Sequence, residues 1–239
     1  GDLTQRARVA QFRLAGEFLE RLRRQGHEVL VVPGNHDVPL YDFLRRFARP
    51  LDRYRRLIAD DLCPYWENDE LAVLGINTAR SLTLKHGSIS HDQMQRIRDS
   101  FVNAGDRLRV LVTHHPLLAM PLGEEGALTR VAKRSGDALL AAAAAGVDLL
   151  LAGHFHRSFS KSARDVVDNV GPALVVQAGT ATSTRLRGGE QQSFNWIEAG
   201  KDGIDLAVYA WEGEAFRRGP PARFTYDGEN WHSAAALHA

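Results

Sequence analysis

Five of the ten histidines in this 239-residue sequence stand just past the ends of three short apolar runs. His36 follows Val29-Leu30-Val31-Val32 in Pro33-Gly34-Asn35-His36-Asp37. His114 and His115 follow the run ending at Thr113, and His154 and His156 follow Leu149-Leu150-Leu151 in Gly153-His154-Phe155-His156. His-x-His on an extended chain turns two imidazoles to one side, and glycine beside them lets the backbone approach closely. Neutral imidazole suits Zn, Fe, Mn, Co and Ni, while Asn and Asp oxygens are harder ligands that favour a hydrated or phosphate-bound ion. One such histidine alone is an ordinary surface or hydrogen-bonding residue. Three loops carrying them together point to a metal site, set against the alternative of a merely structural histidine cluster.

For those loops to meet, the runs that precede them must lie together in a sheet. Residues 29–32, 71–76, 108–113 and 147–151 are nearly continuous apolar, β-branched segments, which predicts strands buried on both faces. Helical spacing predicts a helix over 5–24 from Val9, Phe12, Leu19 and Leu22, stopped near Gly26. A second is expected over 41–58 from Phe43, Phe47, Leu51, Tyr54 and Ile58, with its arginine-rich face read as solvated surface. Ser90-His91-Asp92-Gln93 has the spacing of a capping box, and 129–145 reads as a helix ending at Gly146. This alternation implies an α/β sheet covered by helices, in which ligands gather beyond the carboxyl ends of the strands. The tail changes character, with strands expected at 173–177, 194–198 and 204–211 joined by glycine-rich turns. One domain over 1–239 is expected: an α/β part over 1–160 carrying the loops, and a mainly β part over 161–239 completing a second sheet.

Composition narrows the partners. Lys plus Arg is 30 and Asp plus Glu is 29, a net charge of +1, so no global field draws a nucleic-acid polymer or an anionic membrane. The single cysteine, Cys63, can form neither an internal disulfide nor a thiolate cage, which leaves N and O ligands for any metal and fits a cytoplasmic protein. No apolar run approaches the ~20 residues of a membrane span. The chain opens Gly1-Asp2-Leu3-Thr4, with neither an initiator Met nor a signal-peptide pattern, and reads as a fragment.

Gly1-Asp2, Gly34-Asn35-His36-Asp37, the His114-His115 pair before Pro116, and Gly153-His154-Phe155-His156 resemble, in order and spacing, the motifs of the calcineurin-like metallophosphoesterases. Gly1-Asp2-Leu3-Thr4, Pro33-Gly34-Asn35-His36-Asp37-Val38-Pro39 and Gly179-Thr180 with Arg185 further on are similar to bacterial class III cyclic-nucleotide phosphodiesterases. The resemblance implies a four-layer α/β/β/α sandwich, here lacking its first strand or strands. It implies two metal ions, divalent or of mixed valence (Mn, Fe or Zn), with Asp2 as their bridge. Asn35, His114 and His154 would complete the shell of one ion, His156 would bind the other, and His36 would face the substrate and stabilise the transition state or protonate the leaving oxygen. Asp37 would orient His36 or cap the segment that follows. His115 would contact substrate or make a structural hydrogen bond, and Arg185 would contact phosphate or be a solvated loop residue.

The implied activity is hydrolysis of a small phosphate ester, a phosphodiester such as a cyclic nucleotide, by in-line attack of a water activated between two ions. A phosphomonoester, a nucleotide-lipid pyrophosphate, or a non-catalytic scaffold role are the alternatives. The sequence departs from the family at its start: no strand ending in Asp-x-His precedes Gly1, so the ion shared with His156 keeps two protein ligands. The chain taken by itself is expected to hold at most one metal well, to leave Asp2 frayed and to show little phosphodiesterase activity. Walls of the substrate site are expected from 116–129 and 179–193.

Overall fold

A computed structural model of the protein describes residues 1–82, 86–121, 128–168, 170–184, 186, 189–200 and 203–234. The first sheet has six strands: β1 (Tyr65–Glu67), β2 (Leu71–Ile76), β3 (Leu108–Thr113), β4 (Leu149–Ala152), β5 (Phe159–Ser162) and β6 (Leu174–Gln177). Their order is β1-β2-β3-β4-β6-β5. The middle four run parallel, with β1 and β5 antiparallel at the edges. Parallel strands are covered on both faces, which is why these runs read as continuously apolar.

Helices α4 (His91–Ser100) and α5 (Ser135–Ala144) cover one face. Met94, Ile97, Ala138 and Ala142 share a core there with Leu74, Ile76 and Leu111. The Ser90 side chain accepts from the Gln93 backbone N–H (3.2 Å), and Gln93 accepts in return from Ser90 N–H (3.0 Å), the reciprocal cap that opens α4. Against the other face lies a second sheet of β7 (Ser193–Gly200), β8 (Gly203–Trp211), β9 (Phe216–Arg218), β10 (Ala222–Tyr226) and β11 (Trp231–Ala234). Its Ile204, Leu206, Phe224 and Trp231 pack with Val110, Leu149, Leu174 and Val176 of the first sheet. The result is the stacked α/β architecture that the sequence implied. Among the described residues, no helix is long and apolar enough to cross a membrane.

Four sequence expectations need correction. Residues 29–32 are extended but belong to no strand: the edge of β2 beside them is taken by β1, with Gly75 N–H bonded to the Pro64 carbonyl (2.8 Å). Val32 is instead packed side-on against β2, where a Cβ at Gly75 would come within 2.6 Å of it. The helix expected over 41–58 is two short ones, α2 (Phe43–Ala48) and α3 (Asp52–Leu57). Pro50 has no N–H to give and drives Arg49 out of the helical region, to φ −147 and ψ 63.

The helix expected from residue 129 begins only at Ser135, because the backbone N–H groups of Thr129, Ala132 and Lys133 bond to the carbonyls of Met120, Pro116 and Gly87. Finally, the β part does not start at residue 161. β6 pairs with β4 and is buried at every position, so it belongs inside the first sheet. Phe12 of α1 (Val9–Arg24) meets Tyr54 of α3 edge to face, and with Val31 they form a third cluster behind the Asn35 loop.

Candidate metal centre

The parallel pairing of β3 with β4 decides where two of the histidine loops go. Val112 is level with Leu151, so the chain leaves both strands side by side, and Gly153 N–H donates to the His114 carbonyl (3.1 Å). His114 is thereby placed next to His154, whose Nδ1 lies 3.3 Å from His114 Nε2. Two further groups approach that same nitrogen: Asn35 Oδ1 at 3.2 Å and Asp2 Oδ2 at 3.3 Å.

These separations can be compared with what a single ion requires. Donors bound at ~2.0–2.2 Å and at tetrahedral to right angles are about 2.8–3.6 Å apart. The three distances measured from His114 Nε2 fall inside that range, and one carboxylate, one amide oxygen and two imidazoles form a donor set that suits a first-row divalent ion. Each of these groups, paired with His114, therefore fits a shared metal.

Asp2 and Asn35 come from segments far apart in sequence, and Asp37 joins them. Its carboxylate is 1% exposed. It accepts from Thr4 N–H (2.9 Å), Thr4 Oγ1 (3.1 Å), Leu3 N–H (3.3 Å) and Gly34 N–H (2.9 Å). Asp37 thus ties the Asp2 segment to the Asn35 loop, and these four bonds are spent on backbone and hydroxyl donors rather than on orienting His36. Asp2 is correspondingly not frayed: its side chain is 15% exposed, and Oδ1 accepts from His36 N–H (2.9 Å). Burial works to raise the Asp2 carboxyl, but the adjacent His114, its hydrogen bond and the His36 N–H outweigh this and hold it well below the usual carboxylate range. Burial and the charge of Asp2 push Asp37 the other way, upward.

His36 sits half-buried at the rim, its Nδ1 3.0 Å from the Gln5 carbonyl. A carbonyl only accepts, so Nδ1 carries the hydrogen and Nε2 is the ring atom left to gain or lose a proton. His115 points into the core at 1% exposure, with Nδ1 2.7 Å from Thr78 Oγ1, while its own N–H donates to that hydroxyl (3.2 Å). Burial, with His114 and His154 beside it, pushes its pKa down to about 2, so it is a neutral ring making a structural hydrogen bond. Gly87 lies flat against it, at φ +64, where a Cβ would meet the ring at 2.5 Å.

The ligand atoms of His114, His115 and His154 lie within 4.8 Å of one another, and neither Asp2 nor His156 is in that group. Asp2, His154 and His156 all have positive φ, at 57, 78 and 56, uncommon for residues other than glycine and a pattern that gathers at functional sites. Arg185 and parts of the two expected substrate walls lie outside the described residues. Thr78 and Gly87 carry no sequence signal, since they matter only through the ring they enclose.

A sequence model of the calcineurin-like phosphoesterase family matches residues 1–158. Among solved structures, PhoD is similar with a TM-score of 0.55 at 10% identity, over 95% of this chain and 49% of that one. A purple acid phosphatase from yellow lupin (Lupinus luteus) seeds has a TM-score of 0.44 at 13% identity, over 67% of this chain and 32% of that one. Vacuolar protein sorting 29 from Cryptosporidium parvum has a TM-score of 0.42 at 14% identity, over 88% and 77%. The chain thus spans about half the length of the first and about a third of the second. No curated protein is matched by the sequence.

Proposed function

This chain belongs to the calcineurin-like phosphoesterases, and we propose that it is a metal-dependent hydrolase of small phosphodiesters, cyclic nucleotides among them, working with two metal ions. The observation that supports this most directly is the gathering of Asp2, Asn35 and His154 around His114 Nε2. Those four residues would hold one ion, and Asp2 with His156 would contribute to the second. Bound divalent ions of this kind, Mn, Fe or Zn, supply Lewis acidity to phosphoryl oxygens and a water that ionises near neutral pH.

The rest of the work belongs to the protein. Asp2 stays ionised throughout the neutral range and provides negative charge against the cations. The Gln5 carbonyl sets the His36 tautomer, so that protonated His36 can give a proton from Nε2 to the leaving alkoxide. Loops at the ends of buried strands give the rigid placement that in-line displacement needs.

The test is release of p-nitrophenol from bis(p-nitrophenyl) phosphate with and without Mn²⁺, together with metal content per chain. At least one ion per chain, Mn²⁺-stimulated turnover, and its loss in Asn35→Ala and His154→Ala are expected. Zero bound metal in a folded protein would refute the proposal. Preferential hydrolysis of p-nitrophenyl phosphate would replace the diester by a monoester.

A further inference from the structure

We propose that Gln177 is a positioning residue for the metal centre: its side-chain amide holds the Gly153 carbonyl and thereby fixes the turn that aims His154. The inference rests on the metal reading of His114 and His154 given above. Phe155 N–H donates to the Gly153 carbonyl (3.0 Å), a bond from residue i+2 back to i, and the residue enclosed is His154 at φ 78. This is a γ-turn of the positive-φ kind, which is rare and strained. A non-glycine residue keeps such a conformation only where its surroundings enforce it.

Gln177 Nε2 donates to the same Gly153 carbonyl. Gln177 is itself immobile: it closes β6 at 1% exposure, pairs with Ala152 on one side and Phe159 on the other, and its backbone carbonyl accepts from Asn195 Nδ2 (3.2 Å) of the second sheet. The amide is also poorly suited to a purely structural role. Among the described residues its Oε1 is buried without a hydrogen-bond partner, which is unfavourable, so stability by itself favours an apolar side chain of the same length. The Nε2 hydrogen bond to the strained turn is what an apolar replacement would lose.

The experiment compares wild type with Gln177→Met, which keeps length and removes the donor, and Gln177→Asn, whose amide falls one methylene short. Each is titrated with Co²⁺ alone, with affinity read by chelator competition and geometry by the visible absorption bands. Metal-free melting is recorded in parallel. Gln177→Met is expected to melt at or above the wild-type temperature yet bind Co²⁺ roughly 10–100-fold more weakly, the range for loss of a group that orients a ligand, with altered bands. Gln177→Asn should shift both readouts in the same direction, and it decides the matter if the Met variant does not fold. A folded variant with wild-type affinity and spectrum overturns the role of Gln177. Failure of the wild type to bind Co²⁺ would overturn the metal reading itself.

Discussion

Gly34→Ala tests how Asp2 reaches the centre. Gly34 has φ −103 and ψ −179, extended backbone that any residue adopts, so alanine adds no conformational strain. It adds volume where there is none: a Cβ would lie 2.1 Å from Asp2 Oδ1 and 2.3 Å from Asp2 N. Restoring even a tight contact of 3.0 Å requires Oδ1 to retreat by about 0.9 Å. Metal–ligand distances are held to within about 0.2 Å, so the displacement is several times the tolerance of the site.

The overpacking should cost about 1–3 kcal/mol of stability. The larger effect is on the metal, where misplacing one of four donors is expected to weaken binding about 100-fold, or ~2.7 kcal/mol. Calorimetric titration with Mn²⁺ measures this, alongside turnover of bis(p-nitrophenyl) phosphate. Gly136→Ala, in α5 with open space around its would-be Cβ, serves as the control: unchanged metal affinity and about 0.5–1 kcal/mol of added stability are expected. A folded Gly34→Ala protein that binds Mn²⁺ as tightly as wild type would show that Asp2 does not reach the ion.

Two further outcomes follow from the hydrogen-bond geometry. Asp37→Ala leaves the Gly34, Thr4 and Leu3 N–H groups without their shared acceptor, so chemical denaturation should show a loss of roughly 3–5 kcal/mol at an unchanged slope; a loss below ~1 kcal/mol would remove Asp37 as the tie between the two loops. Asp227 is held down to about 2, chiefly by the backbone N–H groups of Asn230 and Glu229 and secondarily by His232. Because its native value lies below the ordinary 3.8, its contribution to stability is complete above 3.8 and is lost as pH falls through about 2. Carboxyl ¹³C shifts should place that midpoint, and His232→Ala should leave most of the depression in place; a return to the ordinary value would assign it to the imidazole instead.

Much of the sheet was legible because periodicity and turn chemistry are local. The capping box at Ser90, the buried runs of β2 and β3, and the stop at Gly146 each depend on residues a few positions apart. The segment 29–32 has the composition of a strand, but a strand exists only with a partner, and β1 occupies the place beside β2. Pro50 was visible in the sequence, yet the apolar spacing around it outweighed the break it imposes. His115 was balanced between two roles because an extended chain does not say which side faces the core; its contact with Thr78, 37 residues away, is visible only in the fold.

By itself the sequence offered the candidate donor types and their order along the chain: Asp2, Asn35, His114, His154 and His156, the first four each beside a glycine or a strand end. Those choices follow from local chemistry, from which side chains bind metals and which backbones can turn sharply. Only the tertiary structure decided which candidate donors are neighbours. The side-by-side ends of β3 and β4 bring His154 to His114, the four hydrogen bonds of Asp37 carry Asp2 to the Asn35 loop, and Gln177 grips the turn beneath His154. Apart from the Gly34–Asp37 bond, each of these contacts joins residues more than 20 positions apart. They form only when chain folding brings distant backbone groups within hydrogen-bonding distance, and no local pattern encodes that.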